Sequence, residues 1–129
     1  MKRIILWTIV ALLAILLGTV CYTFNQIYRQ VNRITAIAKS EFPGEAVEAL
    51  SSLIESDLHG FEQKNTAIWA LGQLADPEAL PLLEQLDAET PEDSVPFDRS
   101  GGLSKYEIEK AIKWCTKGNL TSWMYTKIK

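Results

Sequence analysis

The chain begins with one unbroken apolar run and continues as a series of short helical stripes. Residues 4–24 contain no charged side chain. The run is about 21 residues long, enough for a helix to cross a hydrocarbon core of roughly 30 Å. Lys2 and Arg3 precede it, and Tyr22 and Phe24 close it where interfacial anchors are expected. Beyond it, Ile27, Val31, Ile34 and Ala38 recur at four-three-four spacing. That spacing places them on one helical face, opposite Arg29, Gln30, Asn32 and Arg33. Phe24 and Val20 share their phase, so the pattern predicts one helix running out of the apolar segment. Its apolar face suits docking on the following domain better than a coiled coil, because the seam lasts too few heptads.

Glu41-Phe42-Pro43-Gly44 interrupts the pattern, since proline biases the residue before it away from helix. The spacing of Val47, Leu50, Leu53, Ile54 and Leu58 then predicts a helix over 45–58 stopped by Gly60. A further helix is predicted over 61–75, with Phe61, Ile68, Leu71, Leu74 and Ala75 on its apolar face and Trp69 in the core. Gly72 lies inside it at a cost of about 1 kcal/mol relative to alanine, which points to close approach by a neighbouring helix. At Asp76-Pro77-Glu78 the pattern restarts. Asp76 suits an N-cap, Pro77 a first helical position without an N–H to lose, and Glu78 the positive end of the helix dipole. Ala79, Leu82, Leu83 and Leu86 form the second stripe, and Pro81 is expected to bend that helix. With almost no loop between them, the two helices read as an αα-hairpin whose stripes face each other.

Ala67, Trp69-Ala70-Leu71-Gly72, Leu74, Asp76-Pro77-Glu78-Ala79-Leu80 and Leu82-Leu83 together resemble the short bacterial HEAT-like repeat described in phycobilisome lyases. The resemblance covers about a sixth of the chain, or a third if residues 45–58 belong to a preceding degenerate repeat. It implies an α-solenoid fragment from a class whose members mostly hold other proteins, and it does not imply lyase activity. Where a further repeat would follow, residues 88–102 intervene with Pro91, Pro96, Gly101, Gly102 and several acids. A stretch of this length is expected to be a flexible loop, and its acids match no calcium-loop spacing. Order resumes at Ser104 and Glu107, which have capping-box spacing. The next stripe is Ile108, Ala111, Ile112 and Cys115, and Lys117-Gly118 ends it.

Net charge is −3, unevenly spread. Residues 1–39 hold five basic side chains and no acid, 40–104 hold fourteen acids against Lys64 and Arg99, and 105–129 hold six lysines against Glu107 and Glu109. The acidic centre argues against a nucleic-acid ligand, whose binding rests on neutralising phosphates. Either basic end can face anionic lipid. Near the apolar run the basic count is almost tied. The short tail with Lys2 and Arg3 is the costlier one to translocate, so the N-terminus is expected inside and the domain outside the cytoplasm. A retained anchor in a bacterial inner membrane fits better than a cleaved signal, for which Gly18-Thr19-Val20-Cys21 is a poor site. Lipidation at Cys21 would want a small residue in place of Val20.

Candidate chemistry is sparse. His59 is the single histidine, beside Glu62, and reads as a solvated residue at a helix end rather than a metal ligand. No serine lies in a nucleophile elbow, Ser100-Gly101-Gly102 is too short for a phosphate loop, and Cys21 and Cys115 cannot pair. No metal, cofactor or catalytic residue is therefore expected. Trp114, Trp123 and Tyr125 are the candidate partner-binding residues, since large aromatics anchor interfaces. The competing role for the tail is to cap the open end of the stack.

The resulting expectation is an all-α chain with three parts: a transmembrane anchor (1–24), a juxtamembrane amphipathic helix (25–43) and a small HEAT-like α-solenoid of antiparallel helix pairs (44–129). As a function it implies a membrane-tethered interaction or scaffold module without catalysis, with an unidentified protein partner. The alternative is an accessory or lyase-like chaperone for a cofactor or chromophore, in which Cys115 is the first residue to test.

Overall fold

A computed structural model of the chain describes residues 1–92, 94 and 102–128, and these are helical with no strand among them. Five α-helices follow in order: α1 (Lys2–Glu41), α2 (Ala46–Glu55), α3 (Phe61–Leu74), α4 (Leu80–Glu89) and α5 (Lys105–Lys117). Two 3-10 turns, Pro77–Ala79 and Ser122–Tyr125, precede α4 and follow α5. The flexibility expected of 88–102 falls largely on residues 93 and 95–101, which lie outside the described residues. Residues 88 and 89 belong to α4.

The chain divides into two compact units, Met1–Gln30 and Val31–Lys129. The first is the leading part of α1. It contains a window of mean hydropathy 2.7, none of it buried, and is long and apolar enough to cross a membrane. Its apolar side chains face outward all round, Trp7, Ile4 and Leu17 among them.

In the second unit, the end of α1 buries Val31, Ile34, Thr35 and Ala38, the face that the four-three-four spacing marks out. Helix α2 starts with the Glu48 carboxylate accepting a bond from the Glu45 N–H at 3.2 Å, one of the orphan donors of a helix N-terminus. It ends at Glu55, three residues short of expectation. Ser56 takes an extended conformation and its hydroxyl accepts from the Leu58 N–H at 3.1 Å, a local bond that competes with helix continuation. Leu58 is consequently 86% exposed instead of joining the stripe. Gly60 does not stop α2. It is the extended N-cap residue of α3, and Phe61 at the helix start stays exposed.

Helix α3 ends on Ala75, whose φ of 50° is left-handed and whose N–H donates to the carbonyls of Leu71 and Gly72. At the corner, Asp76 caps as expected, its Oδ1 accepting from the Glu78 N–H at 3.2 Å. Around Pro81 the helix expected from Pro77 onward is divided in two. Pro77 opens a 3-10 turn and the α-helix starts afresh at Leu80, so Pro81 lies in a first turn where a missing N–H costs nothing.

The close helix packing places α3 on α2 and α5, and α4 on α5. Both stripes of the hairpin are thus shared with α5, where a two-helix hairpin closing on itself was expected. The core holds Leu50, Leu53, Ile68, Leu71, Leu74, Leu83 and Ile108, all fully buried. Each contributes about 1.5–3 kcal/mol of apolar burial. Trp69 is only half-buried.

Candidate docking surface

The α3–α5 contact sets the geometry of the candidate surface. A Cβ at Gly72 would lie 2.9 Å from Ala111 Cα and 2.9 Å from Trp114 Cε3, closer than real contacts permit. The missing side chain lets α5 approach to backbone distance, and the Trp114 ring lies against the gap. Along α5, Tyr106, Lys110 and Trp114 recur four apart and share one face. The Lys110 ammonium sits 5.0 Å from the Tyr106 ring centre and 5.1 Å from the Trp114 ring, and its Nζ also donates to Glu107 at 3.0 Å. Such cation–π contacts are worth about 0.5–1 kcal/mol each at exposed sites and hold the stripe in order. Tyr106 is exposed and Trp114 half-buried.

After Gly118, at φ 85°, the chain folds back onto α3. Gln73, buried in α3, receives bonds at its Oε1 from the Thr121 hydroxyl at 2.6 Å and the Asn119 amide at 3.1 Å. Thr121 is buried, and Tyr125 is fully buried. The partner-binding role expected of Tyr125 is therefore corrected: its ring is a packing element inside the unit and offers no surface. Trp123, between these two pinned residues, is 69% exposed. The burial of Thr121 and Tyr125, with the Thr121 bond to Gln73, packs the tail against α3. The clasp could not be read from pattern, because a glutamine inside a helix gives no sign of a partner 48 residues away.

His59 is likewise corrected. With α2 ending early it sits in the α2–α3 connection, its side chain only 8% exposed. Its Nε2 is 2.8 Å from Glu41 Oε2 and its Nδ1 3.0 Å from Gln63 Oε1, with the Phe42 ring edge-on at 6.2 Å. It ties the end of α1 to the start of α3. Among the described residues no group of three histidine, cysteine or acidic side chains is placed to hold a metal ion. Cys115 is buried, with its thiol 3.7 Å from the Leu71 carbonyl oxygen. It is the first residue to test under the chromophore-handling alternative, and a thiol so buried is poorly accessible to a ligand.

The return into α5 is also pinned. Asn65 binds both sides of it, donating to the Gly102 carbonyl at 3.1 Å and accepting from the Ser104 N–H at 2.8 Å. Ser104 caps α5 through the Glu107 N–H, while the Glu107 carboxylate turns to Lys110 instead of completing the box. Lys105 reaches the Asp87 carbonyl oxygen at 2.6 Å, the Asp87 carboxylate at 3.0 Å and Glu92 at 3.7 Å. The hydrogen bond to Asp87 raises its pKa above the ordinary lysine value, against the opposing effect of desolvation.

Residues 64–88 match the family model of the PBS lyase HEAT-like repeat. Comparison with curated proteins and with solved structures finds no match. The matched segment comprises most of α3, the Asp76-Pro77 corner and α4 up to residue 88, and this helical segment is what is similar to the HEAT-like repeat.

Proposed function

We propose that the chain is a membrane-tethered docking module: α1 anchors it, and the helical unit presents the α5 face to a protein partner as a small HEAT-like stack. The observation that carries this reading is the Tyr106–Lys110–Trp114 stripe, ordered by its own cation–π contacts before any partner arrives. Side chains already held in place lose little entropy on binding, and aromatic residues flanking a cation are typical interface anchors. The HEAT-like match supports the same class of role. The anchor lies in a bacterial inner membrane with the helical unit outside the cytoplasm. Restriction to the membrane plane raises the effective concentration of any membrane-bound partner. The accessory or lyase-like alternative draws on the repeat match alone.

The test is site-specific photocrosslinking of the full chain in its native membrane. A photoreactive benzoylphenylalanine at position 106 is expected to give adducts of defined mass that Lys110→Glu removes. The same group at position 78, on the exposed corner, is expected to give none. Identical adducts from both positions, or none from position 106, would reject the α5 face as the docking surface.

A further inference from the structure

The tail beyond α5 carries a second surface with different chemistry. From Lys110 to the end of the chain there is no acidic residue, and Lys113, Lys117 and Lys127 are exposed. Leu120 is 80% exposed and Trp123 69% exposed, while Thr121 and Tyr125 beside them are buried. The backbone is pinned at 121 by Gln73 and at 125 by core packing. Trp123, in the 3-10 turn Ser122–Tyr125, and Leu120, just before that turn, therefore stand outward as a fixed spike in a lysine-rich segment.

We propose that this spike engages the headgroup region of an anionic lipid bilayer. Two arguments select lipid over protein. Two such side chains, at about 150–250 Å² for the larger, fall well short of the roughly 800 Å² per partner that a stable protein interface buries. A membrane interface needs less: tryptophan, amphipathic and rigid, partitions to headgroup level, and lysines beside it are drawn to anionic lipid. Lys105 and Lys110 contribute little, being engaged by Asp87 and Glu107. Lys113, Lys117 and Lys127 supply the charge.

The experiment uses the full chain labelled with 5-fluorotryptophan, with the position 123 resonance assigned by Trp123→Phe. The chain is placed in anionic nanodiscs and, separately, in zwitterionic nanodiscs mixed with anionic vesicles. Lipid-borne nitroxide is expected to broaden the Trp123 resonance in at least one of these settings, and an aqueous relaxation agent to lose its effect there. Zwitterionic lipid alone, or molar salt, should abolish the broadening. Lys117→Gln and Lys127→Gln should each weaken vesicle engagement about fivefold, the effect of roughly 1 kcal/mol per basic side chain near an anionic surface. A Trp123 resonance that stays open to the aqueous agent in both settings overturns the proposal. So does one that changes only with protein concentration, which would mean a second copy, or one that responds equally to neutral lipid.

Discussion

Two small residues three positions apart, one inside α3 and one at its C-cap, carry opposite predictions. Gly72 weakens the helix by about 1 kcal/mol relative to alanine, yet a methyl group there meets the Ala111 backbone at 2.9 Å. Backbone cannot swing aside as a flexible side chain can, so α5 must shift as a body. Gly72→Ala is therefore expected to destabilise the fold by a net of about 1–2 kcal/mol, since overpacking outweighs the gain in propensity. Ala75 presents the reverse case, a left-handed residue with a Cβ, at a helix end where glycine is the usual occupant. Ala75→Gly is expected to stabilise by about 1 kcal/mol, most of the left-handed penalty. Thermal unfolding of the full chain in micelles, followed by circular dichroism, checks both, and equal shifts in one direction would contradict the reading. Gly72 was legible in sequence because a glycine inside a helical stripe has few other reasons to be there. Ala75 was not, because the last residue of a stripe looks the same whether the helix continues or turns left-handed.

At the scale of elements, what the pattern revealed was local and what it hid was long-range. The Asp76-Pro77 corner reads directly because cap, proline and dipole partner all act within one turn. The early end of α2 does not, since Leu58 keeps perfect helical phase and only the Ser56 hydroxyl bond breaks it. Nor does the role of α5, which reaches α3 through Gly72 and α4 through Lys105 across a gap of sequence that periodicity cannot bridge. Lys105 offers a test of that second link. Its pKa is raised in the folded chain, chiefly by the hydrogen bond to Asp87. The stabilisation is therefore complete below the ordinary lysine value of about 10.4 and is lost as pH rises through the higher folded value. The wild-type melting temperature should fall more steeply than that of Lys105→Met on titrating alkaline from about pH 10. Parallel curves would show that Asp87 and Glu92 do not hold the start of α5.

For the whole molecule, the decisive quantity is the apolar surface of the leading part of α1. An 18-residue window with mean hydropathy 2.7 and no buried share leaves nearly every leucine and isoleucine there facing outward. Water is a poor solvent for such a surface, and lipid satisfies it at no cost to the backbone, whose bonds close within the helix. The apolar run is longer than a signal-peptide core, so the segment should persist in the mature chain. Intact mass of the membrane-extracted protein should include residues 1–24; a species starting near residue 22 would mean cleavage. Sidedness is the finer matter, because Lys2 and Arg3 stand against Arg29, Arg33 and Lys39 and the basic count barely discriminates. Sending Lys2 and Arg3 across first, ahead of the apolar run, is the less favourable insertion. A phosphatase that is active only outside the cytoplasm should therefore be active when fused after residue 129 and silent when fused before residue 1. The opposite pair of activities would place the helical unit on the cytoplasmic side, where the leaflet it meets is enriched in anionic lipid. The lipid proposal would survive that result, and the partner sought for α5 would become a cytoplasmic one.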